Sequence, residues 1–280
     1  MPELPEVEVV RLFLEQKLLH QTITNLEIIN SKSFIGNPDY VKGQEITNFS
    51  RLGKQLSIHL SSQLVLLVHL KMTGQLIYQG NVLGHPTKDS SQPMPNKSTR
   101  LIFTFSDSSK LYFNDQRKFG WVKLLSPDEL LKSQSTLGRD IFDQKFTSKY
   151  FFNRLQSSRR PIKILLLDQH FFAGIGNIYA NDALFLSRIH PRTPSNKIAL
   201  SQAKILHKHL IEIMKQSVLA GGSTAKDNKY LRPDGSIGKN QFSFRVYQRA
   251  GEPCLKCGTK IESQKLGGRG TFFCPRCQKI

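Results

Sequence analysis

The pattern of apolar and polar positions predicts a β-rich first half of the chain. Apolar residues at helical spacing over residues 4–19 predict one amphipathic helix that begins near Pro2. From about residue 24 to residue 125, short runs divided by polar turns favour a β-sandwich. The strands with the clearest bounds are predicted at Gln55–Leu60, Leu64–Leu70, Gln75–Tyr78, Arg100–Phe105, Lys110–Phe113 and Trp121–Leu125.

The second half of the chain has helical periodicity after a linker-like stretch around Ser126–Thr147. Gly80–Ser98 and Ser223–Asn240 lack periodicity and are predicted to be loops, the second of them mobile. Phe242–Tyr247 alternates like a strand. Helices are predicted at Lys149–Gln156, at Pro161–Gln169, from about Asn177, and at about Ser201–Leu219. The chain therefore predicts an α+β protein.

The chain is strongly basic, which indicates a polyanionic partner. Its 280 residues carry a formal net charge of +19, and the basic residues are spread along the chain. Nucleic acid is the default partner, because neutralised phosphates release condensed counterions; a ribosome-associated or generally adhesive protein is the alternative. No run approaches the roughly 18 apolar residues of a membrane-spanning helix, and Glu3, Glu6 and Glu8 stand where a secretory signal is basic. We therefore expect a cytoplasmic protein without a membrane partner.

All four cysteines lie near the C-terminus, in the pairs Cys254-x2-Cys257 and Cys274-x2-Cys277. Two CxxC knuckles joined by a hairpin-length spacer match one structural zinc site, whose four thiolates leave no position open for water. Two disulfides are the alternative, and a reducing cytosol argues against them. Arg269 is predicted at or near the tip of the hairpin, where neighbouring glycines let it approach a phosphate. A solvated turn arginine is the alternative there.

The first residues carry a candidate nucleophile. If Met1 is removed, Pro2 becomes a secondary amine that can attack a sugar aldehyde carbon and form an iminium. An α-amino group titrates at about pH 8, so a usable fraction is neutral at physiological pH. Glu3 follows directly and can move protons. Taken alone, this pattern also fits a proline that only favours the start of a helix.

The segment Gly174-Ile175-Gly176-Asn177 joins two predicted helices. Its glycines allow a tight turn, and the next helix offers free N–H groups to an anion, with Asn177 as a side-chain donor. No strand precedes it in a βαβ unit, so a dinucleotide fingerprint fits poorly. A helix–turn–helix that holds one phosphate fits better, and a plain helix corner capped by Asn177 is the alternative.

An ordered set of motifs resembles the bacterial formamidopyrimidine-DNA glycosylases from the first residue to the last knuckle. The motifs are MPELPEVE at 1–8, HLKMTG at 69–74, RKFG at 117–120, GIGNIYA at 174–180, GGST at 221–224 and the closing cysteine ribbon. Any one of them could occur by chance, whereas the ordered set is specific. The resemblance implies a base-excision-repair enzyme that removes 8-oxoguanine and formamidopyrimidines from duplex DNA and then cleaves the strand by β,δ-elimination.

The resemblance also implies the role of each catalytic residue. Pro2 would attack the sugar C1′ carbon to form the Schiff base, and Glu3 would shuttle protons around the deoxyribose. Lys54 would contact phosphate and assist β-elimination, and Arg269 would grip the phosphates at the lesion and assist δ-elimination. Leu4 favours this family over the related endonucleases directed at oxidised pyrimidines, which usually have glycine there.

DNA contacts and a lesion pocket are implied in the same way. Met72, Arg117 and Phe119 match the wedge that fills the space left by an everted base. Without the resemblance, Met72 and Phe119 would be read as core residues and Arg117 as part of a surface ion pair. Further DNA contacts are implied at Arg159, Lys163 and Asn177. The lesion pocket is implied at Glu6, Gly222, Ser223 and Thr224.

The resemblance gives a domain plan. It places a β-sandwich catalytic domain at 1–130, a linker at 131–147, a helix-two-turn-helix DNA-binding domain with a lesion loop (221–240) at 148–245, and a zinc finger at 246–280. A monomer is expected, because one lesion is one asymmetric site. Two other functions stay open: the sister endonuclease directed at oxidised pyrimidines, and a non-catalytic zinc-dependent DNA-binding protein.

Overall fold

The structure, a computed structural model, describes residues 2–80, 93–224 and 230–279. Its internal contacts divide the chain into two units. Unit 1 comprises Met1–Thr136 and Ser217–Gln241, and unit 2 comprises Leu137–Gln216 and Phe242–Ile280. The segment that contains GGST therefore groups with the N-terminal unit, whereas the domain plan placed it with the helices.

Unit 1 has two main sheets among its described residues, one of four strands and one of five. The four-stranded sheet has the order β1-β7-β8-β6, and the five-stranded sheet has the order β2-β9-β5-β4-β3. The bounds are α1 Leu4–Leu18, β1 Ile23–Ile28, β2 Phe34–Ile35, β3 Ile46–Leu52, β4 Gln55–Leu60, β5 Val65–His69, β6 Gly74–Gln79, β7 Thr99–Phe105, β8 Lys110–Asp115, β9 Trp121–Leu125 and α2 Pro127–Gln134. The predicted α+β class with an N-terminal β-rich domain is confirmed.

The core of unit 1 includes one face of α1. Val7, Val10, Leu14 and Leu18, the residues at helical spacing, are each at most 1% exposed and pack with the apolar faces of both sheets. Tyr230 belongs to the same cluster. This shared core explains why residues 217–241 group with unit 1.

Unit 2 is helical and ends in a hairpin. Its bounds are β10 Arg139–Asp140, α3 Ser148–Gln156, α4 Ile162–Leu167, β11 Phe172–Ala173, α5 Asn177–Leu186, α6 Leu200–Leu219, β12 Glu262–Leu266 and β13 Arg269–Phe273. The last three residues of α6 belong to unit 1. β10 and β11 form a short parallel pair, and β12 and β13 pair antiparallel with Leu266 opposite Arg269. Gly267-Gly268 is thus the hairpin tip, directly before Arg269.

Two local predictions were wrong. Residues 127–134, inside the expected linker-like stretch, form α2, because Ser126 and Glu129 make a capping box in front of a helix that begins at Pro127. Phe242–Tyr247 is not a strand: residues 240–243 form a 3₁₀ turn. The N–H groups of residues 245–247 are taken up by the Asp182 carboxylate and are not available to a sheet.

Parts of both predicted loops lie outside the described residues, namely 81–92 of the first and 225–229 of the second. In the described part of the second loop, no helix or strand precedes residue 240. Within the described ranges, none of the helices combines the length and apolar character needed to cross a membrane.

Candidate active site

The candidate nucleophile lies at the start of α1. Pro2 and Glu3 are both buried, and the Glu3 N–H donates to Glu6 Oε2 at 2.8 Å. This hydrogen bond fixes the Pro2-Glu3 peptide at the helix N-terminus.

The Glu6 carboxylate joins the N-terminus to the GGST segment. Glu6 is 1% exposed, and its second oxygen, Oε1, accepts the Ser223 N–H at 2.8 Å. The Tyr230 hydroxyl donates to the Glu6 carbonyl oxygen at 3.2 Å. Gly222 has φ +80, and a Cβ there would lie 3.2 Å from Glu6 Cγ. A glycine is thus required where the segment passes the carboxylate.

The described ends of the lesion loop are anchored to each other. The Thr224 hydroxyl donates to the Tyr230 carbonyl at 3.0 Å and accepts the Gly238 N–H at 2.9 Å. The Asn240 amide donates to Ser223 Oγ at 2.8 Å. These bonds hold the part of the predicted mobile loop that the structure describes in one arrangement.

Lys54 lies in the turn between β3 and β4 and is 8% exposed. Gly53, with φ +58, makes this tight turn possible. Burial, followed by the positive charges of Lys71 and Lys54, lowers the pKa of His69 to about 3. His69 is therefore neutral at physiological pH, and its Nδ1 accepts the Lys71 N–H at 3.0 Å.

The three wedge candidates lie on two loops that one carboxylate holds together. Asp115 is fully buried at the end of β8. Its Oδ1 accepts from the Thr73 hydroxyl and from the Arg117 N–H, and its Oδ2 accepts the Gly120 N–H. Asp115 was not among the residues predicted from the sequence, although a carboxylate two positions before the RKFG motif was a usable signal.

Phe119 is not a core residue, and Arg117 packs on its ring. The Phe119 side chain is 53% exposed, which excludes a core role. The Arg117 guanidinium lies 4.8 Å from the centroid of the Phe119 ring, so it stacks on an aromatic face. Met72 is half-buried on the neighbouring loop.

In unit 2, α5 positions the hairpin that carries Arg269. The Asn177 amide donates to the Gly270 carbonyl at 3.0 Å, and Asn181 Oδ1 accepts the Phe272 N–H at 2.8 Å. Asp182, 6% exposed, accepts three consecutive backbone N–H groups. Burial raises the pKa of Asp182 and the three donors oppose that rise. Polar residues at successive turns of one helix thus fix the segments that lead into and form the hairpin.

Lys163 faces the hairpin and is shielded from solvent. It is 0% exposed, and its Nζ donates to the Gly270 carbonyl and to Thr271 Oγ1, both at 2.7 Å. The family resemblance implied that this ammonium contacts a DNA phosphate. Arg269 and Arg159, by contrast, are exposed.

The four cysteines form one cluster that fits zinc. Their Sγ atoms all lie within 4.8 Å of one another, and none of the four is in a disulfide. Four thiolates at about 2.3 Å from a central Zn²⁺ would be about 3.8 Å apart, and the observed Sγ–Sγ separations include 3.5 and 4.0 Å. The predicted structural zinc is confirmed by this cluster and by the zinc-finger family match reported below.

Comparisons with known proteins cover the whole chain. Three family models match: the formamidopyrimidine-DNA glycosylase N-terminal domain at residues 1–122, the formamidopyrimidine-DNA glycosylase H2TH domain at 137–229, and a zinc finger found in FPG and IleRS at 251–280. The formamidopyrimidine-DNA glycosylase of Bacillus licheniformis is 39% identical over 288 residues, which covers 100% of each chain.

Two similar solved structures are complexes with DNA. Lactococcus lactis Fpg bound to abasic-site DNA has a TM-score of 0.88 and 33% identity, with 100% of both chains covered. Wild-type L. lactis Fpg bound to DNA that contains an oxidised pyrimidine has a TM-score of 0.87 and 34% identity, again over 100% of both chains.

Proposed function

This chain belongs to the formamidopyrimidine-DNA glycosylase family, and from that premise we propose that it removes oxidised purines from double-stranded DNA through a Schiff base on Pro2. As a member, it is a base-excision-repair DNA glycosylase and AP lyase. The proposed substrates are 8-oxoguanine and formamidopyrimidines, and the proposed strand cleavage is a β,δ-elimination. The main observation behind the proposal is that the Glu6 carboxylate accepts hydrogen bonds from both the Glu3 N–H and the Ser223 N–H. It thereby holds the Pro2-Glu3 peptide next to the GGST segment.

The proposed chemistry begins at the Pro2 amine, once Met1 is removed. The amine attacks the sugar C1′ carbon, the damaged base leaves, and an iminium forms between Pro2 and the opened sugar. Glu3 transfers the protons that these steps require. The iminium is an electron sink that acidifies the C2′ proton, so phosphate can leave. The proposed role of Lys54 and of Arg269 is to stabilise the charge that develops on the phosphates.

The target base must leave the helix before Pro2 can reach the sugar. We assign Met72, Arg117 and Phe119 to the space that the base vacates. Phe119 suits this role because an exposed aromatic ring can enter a base step. The everted base is proposed to lie near Glu6 and residues 222–224, which share one buried hydrogen-bond network.

A substrate comparison tests the assignment to purine lesions. Single-turnover incision of a duplex with 8-oxoguanine opposite cytosine is expected to be faster than incision of a matched duplex with thymine glycol. A strong preference for the glycol would favour the sister activity on oxidised pyrimidines. That alternative has some support, since the similar L. lactis protein was solved with oxidised-pyrimidine DNA.

Lys163 and Arg159 are expected to act on DNA in different ways. The proposed role of Lys163 is to brace the hairpin behind Arg269, because its ammonium is buried against Gly270 and Thr271. Arg159 is exposed and is proposed to contact a phosphate directly. Arg159→Gln should therefore reduce the slope of log K against log salt by about 1, whereas Lys163→Met should leave the slope unchanged and slow δ-elimination.

Binding titrations at several salt concentrations, with quantified β- and δ-products, check this pair of variants. An equal loss of slope in Lys163→Met would show that Lys163 contacts a phosphate after all. An unchanged slope in Arg159→Gln would show that Arg159 does not contact a DNA phosphate.

A further inference from the structure

A partly buried ion pair joins α1 to the turn that carries Lys54. Arg51, near the end of β3, donates from Nε to Glu8 Oε2 at 2.7 Å and from Nη1 to the Gly53 carbonyl at 3.1 Å. The Arg51 side chain is 6% exposed and the Glu8 side chain is 15% exposed. One planar guanidinium therefore binds the helix and the turn at the same time.

The two ends of this link are close in sequence to catalytic candidates. Glu8 lies little more than one helical turn beyond the start of α1. Pro2 and Glu3 lie directly before that start, and Glu6 anchors the Glu3 N–H. Gly53 immediately precedes Lys54. The link thus runs from the helix that holds the nucleophile to the peptide group that leads into the lysine.

The link is charged under physiological conditions. Burial, the largest single influence, raises the pKa of Glu8, but the hydrogen bonds and positive charges of Arg11 and Arg51 together outweigh it and hold that pKa below its usual range. Hydrogen bonds between ionised partners are shorter and stronger than neutral ones. Lysine cannot reproduce the link, because an ammonium lacks the rigid fork that reaches two acceptors in fixed directions.

We propose that Arg51 is a positioning residue that sets where the Lys54 ammonium lies relative to the Pro2 amine. This inference rests on the proposed role of Lys54 in β-elimination. The Glu8–Arg51–Gly53 link fixes the turn against α1, and a misplacement of about 1 Å can cost about 10²-fold in rate. Arg51 thereby acts on the elimination through Lys54, without contact to the substrate.

Arg51→Lys tests the inference by single-turnover cleavage of abasic-site DNA. Strand cleavage is expected to slow by about tenfold to 100-fold, while borohydride trapping of the Schiff base keeps the wild-type rate. Arg11→Lys is the matched control. Arg11 donates to the other oxygen of the same carboxylate at 2.8 and 3.0 Å, so this variant weakens the carboxylate's contacts and leaves the bond from Arg51 to Gly53 in place.

A double-mutant cycle with Lys54→Ala separates positioning from general destabilisation. If Arg51 acts through Lys54, Arg51→Lys slows cleavage in the wild type and has little further effect in Lys54→Ala. Equal fold losses in both backgrounds would overturn the inference. If Arg51→Lys does not fold, Glu8→Gln replaces it in the double-mutant cycle, because Glu8 is the other partner of the ion pair. A wild-type enzyme without abasic-site cleavage would refute the proposed function, and this inference with it.

Discussion

Replacement of Pro2 by glycine is expected to reduce borohydride trapping on abasic-site DNA by about 10²-fold or more. Glycine keeps a terminal amine but loses the secondary amine and the pyrrolidine ring that fixes the direction of its nitrogen. Binding of lesion DNA should be retained, because the cationic residues of both units are untouched. The measurement is the rate of adduct formation, with affinity determined separately.

Pro5→Gly is the matched control for this variant. Pro5 is buried in the first turn of the same helix but carries no free amine. The Pro5→Gly variant should lose some helix stability and still form the adduct at the wild-type rate. Equal losses in both variants would mean that Pro2 matters only as a helix-starting residue, which is the alternative weighed from the sequence.

The second large effect is expected from Cys274→Ala, which removes a fully buried zinc ligand. Structural zinc supplies roughly 10 kcal/mol or more of folding free energy to small zinc domains. The cysteines pack in a small cluster with Phe185, Val246 and Ile261, too little apolar surface to hold the hairpin alone. The hairpin should unfold, Arg269 should lose its position, and DNA affinity should collapse.

Unit 1 should survive this change, because its core contains none of the cysteines. Elemental analysis should find one zinc per wild-type chain and none in the variant, and chelation of the wild type should reproduce the loss of binding. Leu255→Ala is the control, since Leu255 lies within the first knuckle, is 62% exposed and is not a ligand. A fully active Cys274→Ala would contradict the proposed role of the hairpin.

Features with a local sequence signal were predictable. The spacing of Val7, Val10, Leu14 and Leu18 gave the buried face of α1, and alternation gave strands such as Gln55–Leu60 with the bounds the structure has. The cysteine spacing predicted a metal site because both knuckles and their spacer are short. The capping box of α2, Ser126 with Glu129, is also a local signal in the sequence.

Features that depend on distant partners were not predictable. Lys163 looks like a surface cation in the sequence, but its partner Gly270 lies 107 positions away. The hydrogen bonds of Asp115 depend in the same way on two loops that meet beside the end of β8. The link between Glu8 and Arg51 depends on the packing of α1 against β3. The sequence contains these polar residues but gives no sign of which carboxylate meets which donor.

Peptide mapping of the trapped complex tests the central claim most directly. The protein would be reduced with borohydride on a duplex that contains one 8-oxoguanine opposite cytosine, digested, and analysed by mass spectrometry. One adduct is expected, on an N-terminal peptide that begins at Pro2, with the deoxyribose attached to its amine. An adduct on a lysine such as Lys54, or base release without any adduct on a chain shown to begin at Pro2, would contradict it.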